Sequence, residues 1–109
     1  PWLVLGDFNA ILSPSGKLGP SHSPIATREF RASIDDCSLV EVNLIGAKFT
    51  WYCRHYNRVV ASKIDRVFVN VQTLDAWDTI SSTTLTKLNS DHHPIMVSFI
   101  FKKSKYTLP

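Results

Sequence analysis

The sequence predicts an α+β domain of mainly antiparallel strands with one main helix. Apolar runs over residues 2–5 and 95–101, the second interrupted by Ser98, are typical of strands buried on both faces. The stretch 46–71 is rich in β-branched and aromatic residues, which favours a hairpin. In the segment ATREFRASIDDCSLVEV, apolar side chains recur at helical spacing.

The composition bounds the class of protein. With 109 residues, 44% hydrophobic and 19% charged, the chain is one globular domain or part of one, and a core is feasible without disulfides. Cys37 and Cys53 lack the count and spacing of a disulfide framework or zinc site, so we expect free thiols in a reducing intracellular compartment, with the nucleus plausible. The net charge of +3 is compatible with an anionic partner. No apolar run is long enough to span a membrane.

The first half of the chain is expected to begin with a strand and a loop. The strand covers residues 2–5 and ends at Gly6, so that Asp7 lies at the carboxyl end of a buried strand. Ser, Gly and Pro are concentrated over residues 13–24, which indicates a surface loop.

The main helix is predicted near residues 26–37. Thr27 or Ser23 would cap its start. Its buried face carries Phe30, Ile34 and Cys37.

The second half is predicted to contain a hairpin and two further strands. Residues 49–52 would form the first hairpin strand, 54–62 the connection and 64–69 the return strand. The segment TLDAWD is expected to form a short helix or helical turn, STTLTKL an edge strand and PIMVSFIF a largely buried strand. Residues 102–109 are expected to form a flexible tail.

Charged side chains interrupt these strands in related places. Asp7 follows the first strand, Asp65 lies within the return strand, and Asp91 with His92 precedes the last strand. A charge is costly to bury unless it is paired, hydrogen-bonded or bound to a metal. Four such residues therefore suggest that the strands converge on one cleft.

Each intrusion also has a local interpretation. Asp7 would form an Asx-type turn within GDFN. Asp65 would form a surface ion pair with Lys63 or Arg66. The segment SDHHP would form a capped turn whose second histidine faces solvent. The spacing of the residues does not decide between the local and the convergent interpretations.

The convergent interpretation suits phosphodiester hydrolysis. A carboxylate that holds a histidine fixes its tautomer and favours its charged form, which makes the ring a better donor to a phosphoryl oxygen. A second carboxylate near a divalent cation can orient or deprotonate the attacking water. An asparagine amide supplies both a donor and an acceptor beside the phosphate.

The motifs GDFN, FTW, KIDRVFVN and SDHHPI, in this order, resemble the second half of the endonuclease/exonuclease/phosphatase superfamily, which is the DNase I-like fold. With EFRASIDDCSLVEVNLIGAKFTW, the chain is most similar to endonuclease domains of plant LINE-type non-LTR retrotransposons. The resemblance covers residues 2–101, which would be a partial domain, the C-terminal part of a four-layer α/β sandwich.

The resemblance implies a role for each polar residue. Asp7 resembles the acid that positions and activates water, and Asn9 its companion at the scissile phosphate. Asp65 resembles the carboxylate that orients the catalytic histidine, His92. Asp91 resembles a ligand of Mg²⁺ (or Mn²⁺).

A second set of residues matches the nucleic-acid cleft of the family. Two lie on the strand that lines the cleft, and four are possible contacts to the DNA backbone. They are Thr50, Trp51, Arg54, Arg58, Lys63 and Arg66.

The chain also departs from the family pattern. The N-terminal half, with its Asn, metal-binding Glu and active-site Tyr, is absent, so the metal site is incomplete and this fragment is expected to be inactive. The missing half, or a reverse transcriptase, would lie in the same parent polyprotein, and without that half an apolar sheet face would be exposed. The resemblance thus implies the C-terminal fragment of a Mg²⁺-dependent DNA endonuclease. The alternatives are a non-catalytic relic or nucleic-acid-binding module, or a phosphatase of the same superfamily.

Overall fold

The computed structural model describes residues 2–19, 23–55, 57–87 and 90–101, and for His55 and Phe101 it describes the backbone alone. Nine strands and two α-helices are assigned in these ranges, together with a 3₁₀ turn at Pro14–Gly16. In chain order they are β1 (Leu3–Asp7), β2 (Lys17–Leu18), α1 (Pro24–Asp36), β3 (Val40–Glu41), β4 (Leu44–Ile45), β5 (Trp51–His55), β6 (Arg58–Ser62), β7 (Asp65–Val69), α2 (Val71–Ala76), β8 (Trp77–Thr84) and β9 (Ile95–Phe101). This confirms the predicted α+β class.

The strands form three small sheets. Their orders are β1-β7-β3 in the first sheet, β2-β6-β5 in the second and β4-β8-β9 in the third. All pairs are antiparallel except β4 with β8. The central strand β7 pairs with β1 on one side and with β3 on the other, so the first sheet brings together segments from both halves of the chain.

The core lies on the two faces of β7. Val67 and Val69 are buried and pack towards Ile80, Ile95 and Val97 of the third sheet. On the opposite face, Phe68 makes edge contacts with Phe8 and with Phe30 of α1, at ring-centroid distances of 5.3 and 6.0 Å. Because side chains alternate along a strand, β7 is covered on both faces, by the third sheet and by the helix.

The main helix is confirmed, although it begins two residues earlier than predicted. The Ser23 side chain accepts a hydrogen bond from the Ala26 N–H and Pro24 occupies the first turn, which is a favourable start for a helix. Ser23 is therefore the cap, and Thr27 lies within the helix. The predicted loop at 13–24 also contains the 3₁₀ turn and β2, and its residues 20–22 lie outside the described residues.

The predicted hairpin has the wrong strand pairing. Residues 54–62 are not a connection: β5 pairs with β6, with His55 opposite Arg58. The strand at 65–69 pairs with β1 and β3 instead. Positive φ at Asn57, which suits a tight turn, makes this short hairpin possible.

Two strands that were predicted to be buried are partly exposed. In β1, Leu3 and Leu5 are 41% and 52% exposed, and in β9, Met96 and Ile100 are 50% and 56% exposed. Both strands are at an edge of their sheet. An apolar run therefore predicted the strands correctly but not their burial, because the described residues cover only part of the sheet faces that carry these four side chains.

The segment after α2 also differs from the prediction. TLDAWD is helical up to Ala76, as expected, but β8 begins at Trp77 and is the central strand of the third sheet. It is therefore not an edge strand at 82–88, and residues 88–89 and the predicted tail at 102–109 lie outside the described residues. None of the described helices has the length and apolar character needed to cross a membrane.

Candidate active site

The first sheet brings two carboxylates together. Asp7 is the last residue of β1 and Asp65 the first residue of β7, and the antiparallel register places them directly opposite each other. Opposed residues of an antiparallel pair point to the same face of the sheet, so both side chains point to the same side. Asp65 thus begins its strand and does not interrupt it.

The segment that carries the two histidines is held against β5. The Tyr52 N–H donates to the Asp91 carbonyl at 3.0 Å and the His93 N–H donates to the Thr50 carbonyl at 2.7 Å, on either side of a bridge between Trp51 and His92. These backbone bonds fix His92 beside the first sheet, although 27 residues separate it from Asp65.

His92 and Asp65 form a close pair. The Nδ1 of His92 lies 2.7 Å from Oδ2 of Asp65, and the Asp65 side chain is only 13% exposed. An ionised carboxylate accepts hydrogen bonds and does not donate them, so Nδ1 carries the proton. The other ring nitrogen, Nε2, is then 3.8 Å from Oδ2 of Asp7 and 3.9 Å from Oδ1 of Asp91.

This environment favours the charged imidazole. The hydrogen bond to Asp65 is the main reason that the pKa of His92 lies above its ordinary value of 6.5, and the negative charges of Asp65, Asp7 and Asp91 add to it against the opposing effect of burial. The surroundings of His92 therefore stabilise the doubly protonated ring, in which Nε2 also carries a proton that it can donate.

A groove of about 380 Å³ opens beside this pair. Its polar wall is formed by Asp7, Asp65, His92 and His93, and its apolar wall includes Leu5 and Ile95. The groove is where a substrate could reach both Asp7 and Nε2 of His92.

The predicted Asx turn at Asp7 is present. Oδ1 of Asp7 accepts a hydrogen bond from the Asn9 N–H at 2.8 Å, and Asn9 has a positive φ of 51°. This leaves Oδ2 of Asp7 as the oxygen near His92. The local and the convergent interpretations of Asp7 are therefore compatible, because each uses a different oxygen. Asn9 follows Asp7 closely but lines a neighbouring cavity and not the groove.

Asp91 is oriented by a tryptophan. The indole Nε1 of Trp51 donates to Oδ2 of Asp91 at 2.9 Å, which leaves Oδ1 towards His92. Ser90 supports the same turn, since its Oγ accepts from the His92 N–H at 3.1 Å. Trp51 thus acts on Asp91, a role that the sequence motif did not reveal.

Thr50 positions Asp65 and does not face a ligand. It is fully buried, and its hydroxyl oxygen accepts hydrogen bonds from the N–H groups of Ile64 at 3.1 Å and Asp65 at 3.0 Å. The hydroxyl also donates to the Ser62 carbonyl at 3.4 Å. The expectation that Thr50 lines a nucleic-acid cleft therefore does not fit its burial.

His93 is also a positioning residue. It does not point freely to solvent, because its Nδ1 lies 2.7 Å from the Leu85 carbonyl and its ring packs edge-on against Tyr52. These contacts join the end of β8 to the start of β9. The adjacency of the two histidines is the one sign of this role that the sequence contains.

The four predicted backbone contacts lie in different surroundings. Arg54 and Arg58 are exposed on the β5-β6 hairpin, and Lys63 is half-buried. Arg66 is only 4% exposed, and its Nη1 is paired with Oε2 of Glu41 at 2.6 Å. Arg66 is therefore not exposed on the outer surface as the resemblance implied, and its ion partner is Glu41, not Asp65.

The carboxylates fit part of a Mg²⁺ site. Ligand atoms of Asp7, Asp65 and His92 lie within 4.8 Å of one another, but the Asp65–His92 hydrogen bond already occupies Nδ1 and Oδ2. In the described structure Oδ2 of Asp7 and Oδ1 of Asp65 accept no hydrogen bond, and Asp91 lies outside this group of ligand atoms. Mg²⁺ commonly takes one or two carboxylates and completes its octahedron with water and substrate phosphate. The donor set is therefore suitable for Mg²⁺ but small.

The comparisons with known proteins support the fold. No family model and no curated protein matches the chain. Among solved structures, it is similar to the endonuclease domain of TRAS1, a telomere-specific non-LTR retrotransposon, with a TM-score of 0.64 and 20% sequence identity. The similarity covers 94% of this chain and 44% of that chain, so the chain spans less than half the length of its structural neighbour. The chain thus shares the mixed α+β fold of part of that domain.

Proposed function

We propose that this chain is part of a divalent-metal-dependent phosphodiesterase, a DNA endonuclease of the retrotransposon type. The observation that carries the proposal is the Asp65–His92 pair at 2.7 Å, with Nε2 of His92 3.8 Å from Oδ2 of Asp7 and both residues in the wall of the groove. The fold shared with the TRAS1 endonuclease domain supports the same reaction class.

Each residue has a defined task in this reaction. Asp65 keeps the proton on Nδ1, so Nε2 of protonated His92 donates to a phosphoryl or leaving-group oxygen. Oδ2 of Asp7 accepts a hydrogen bond from the attacking water and can take its proton. Asn9 holds the loop after β1, through the bond between its N–H and Asp7. These residues bring a water and a proton donor to the same substrate phosphate.

Asp91 is the residue of this chain that would hold Mg²⁺ (or Mn²⁺), and Oδ2 of Asp7 is left to the attacking water. The cation would supply charge to offset that of the phosphate in the transition state. Trp51 keeps Asp91 turned towards this position. Because one carboxylate leaves most of the coordination sphere to other groups, further ligands from the remainder of the fold are required for tight binding.

The chain alone is therefore expected to be inactive, and activity is expected when the complementary part of the fold is present. The test is Mg²⁺-dependent nicking of supercoiled plasmid by this chain joined to the complementary part of the TRAS1 endonuclease domain. His92→Ala and Asp65→Asn should each lower the nicking rate by about 10²–10⁴-fold, the usual contribution of acid–base catalysis. Asp75→Asn, the same carboxylate change on the exposed surface of α2, should leave the rate unchanged.

The double variant makes the test sharper. If Asp65 acts through His92, the Asp65→Asn/His92→Ala variant should be about as slow as His92→Ala, because residues that act as a unit are not additive. Nicking that survives His92→Ala would remove His92 from the mechanism. Hydrolysis of inositol phosphates without plasmid nicking would favour the phosphatase alternative.

A further inference from the structure

A second cavity lies on the other side of the first sheet from the candidate active site. It has a volume of about 420 Å³, and its wall includes Gly16, Arg31, Glu41, Lys48, Lys63 and Arg66. Arg66 follows Asp65 in β7, and consecutive side chains of a strand point to opposite faces. A phosphate bound in this second cavity, here called the basic cavity, would therefore not be the phosphate that contacts His92.

The cavity carries an excess of positive charge. Glu41 is the one acidic residue among its described lining residues, and it is paired with Arg66 at 2.6 Å. The positive charges of Arg31, Lys48 and Lys63 then remain without a carboxylate in the wall. Three cations around one space favour a multiply charged anion over a single carboxylate.

Arg66 supplies an independent observation. Its side chain is 4% exposed; Nη1 bonds to Glu41 and Nη2 donates to the Lys63 carbonyl at 3.1 Å. Its Nε is buried and has no hydrogen-bond partner among the residues that the structure describes. This nitrogen is sealed from the cavity, so the terminal nitrogens are the ones available to a phosphate: each carries a second N–H, and a guanidinium is well suited to phosphate oxygens.

We propose that the basic cavity binds a phosphate group, with Arg66 as the buried donor and Lys48 and Lys63 as the charges at its wall. The cavity is larger than inorganic phosphate requires and falls in the usual range of ligand pockets, about 300–1,000 Å³. It therefore suits a phosphate carried by a larger molecule, either a nucleic-acid backbone or a free nucleotide. This site is separate from the proposed catalytic groove and does not depend on it.

The test compares thermal unfolding of this chain in sodium phosphate and in sodium chloride at equal ionic strength. A ligand that binds the native state raises its stability in a saturable way, whereas the general salting effect of phosphate does not saturate. Wild type should show saturable stabilisation by phosphate. Lys48→Gln and Lys63→Gln should each raise the phosphate Kd by about tenfold, as expected for loss of one charged contact.

Arg28→Gln is the matched control, because it removes one positive charge from an exposed position on α1 outside the cavity wall. It should keep the wild-type response. An identical response of Lys48→Gln, Lys63→Gln and Arg28→Gln would overturn the proposal. So would a phosphate response that disappears in His92→Ala and persists in Lys48→Gln, since it would belong to the candidate active site.

A second measurement identifies the source of the phosphate. If it is a DNA backbone, Lys48→Gln should weaken binding to a short duplex and lower the slope of log affinity against log salt by about one. If it is a free nucleotide, Lys48→Gln should lose the phosphate response and bind the duplex as wild type does. Either result supports the cavity when the first measurement is positive.

Discussion

Thr50→Val tests whether the candidate active site depends on a buried hydroxyl. The substitution keeps the shape of the side chain but removes the oxygen that accepts hydrogen bonds from the N–H groups of Ile64 and Asp65. Thr50 is 0% exposed, so water does not replace this oxygen without a rearrangement. The change therefore leaves two backbone donors unsatisfied at the start of β7.

The expected cost follows from these two donors. Each buried donor that loses its partner costs about 1–3 kcal/mol, and because both N–H groups are only part-buried we expect a combined loss of about 2–4 kcal/mol in the free energy of unfolding. That is a large share of the stability of a small domain, about 5–15 kcal/mol. Thr50→Ser retains the oxygen and should lose about 1 kcal/mol for the missing methyl group.

The assay is urea-induced unfolding of wild type, Thr50→Val and Thr50→Ser, followed by tryptophan fluorescence. Thr50→Val should lower the midpoint without a change in the m-value, and the midpoint of Thr50→Ser should lie between those of Thr50→Val and wild type. If Thr50→Val were as stable as Thr50→Ser, the hydroxyl would not hold the turn before Asp65, and the role given to Thr50 would be wrong.

Two further predictions concern charge. Glu41→Gln should lower the free energy of unfolding by about 1–3 kcal/mol, which is less than for a fully buried ion pair because Glu41 is 28% exposed. The double variant Glu41→Leu/Arg66→Met should recover most of this loss, because it leaves no unpaired buried charge. A neutral effect of Glu41→Gln in urea unfolding would contradict the importance of the Glu41–Arg66 pair. His92 has a raised pKa in the folded state, so its stabilising contribution is complete below its ordinary value of 6.5 and is lost as pH rises through the folded-state pKa. In urea unfolding, wild type should therefore lose stability relative to His92→Gln as the pH rises from 6.5 through the folded-state pKa of His92. If the free energies of unfolding of the two proteins ran parallel with pH, the Asp65–His92 pairing would be contradicted.

The residues that define local structure were predictable from sequence. Ser23 and Pro24 start a helix by capping and by a fixed φ, and Phe30 and Ile34 recur at helical spacing. Asp7 after Gly6 indicated both a strand end and an Asx turn, and the turn is present. These features depend on neighbours in the chain, which the sequence displays directly.

The strand pairing was not predictable in the same way. The residues at 58–62 alternate too weakly to indicate a strand, yet the positive φ at Asn57 allows β5 and β6 to pair closely. The strand at 65–69 is apolar, and an apolar strand can be either the partner of a hairpin or, as here, a central strand between β1 and β3. Apolar runs identify strands, but burial also depends on which other strands cover them.

Part of the site was predicted by motif and part was visible only in three dimensions. The motifs place Asp65 and His92 in one site, and the structure brings their atoms within 2.7 Å. The sequence did not reveal that Trp51 orients Asp91 or that Arg66 is buried against Glu41, because both depend on contacts between residues at least 25 positions apart. A motif names chemical groups, whereas the role of each group depends on the atoms around it.

The most direct test of the convergence of Asp7, Asp65 and His92 is an NMR titration of the His92 ring in metal-free buffer, with Asp65→Asn beside wild type. The pKa of His92 should lie above 6.5 in wild type and fall in Asp65→Asn, with the proton of the neutral ring on Nδ1 in wild type. A wild-type pKa at or below 6.5 that Asp65→Asn leaves unchanged would show that the two side chains do not meet, and the proposed active site would not exist.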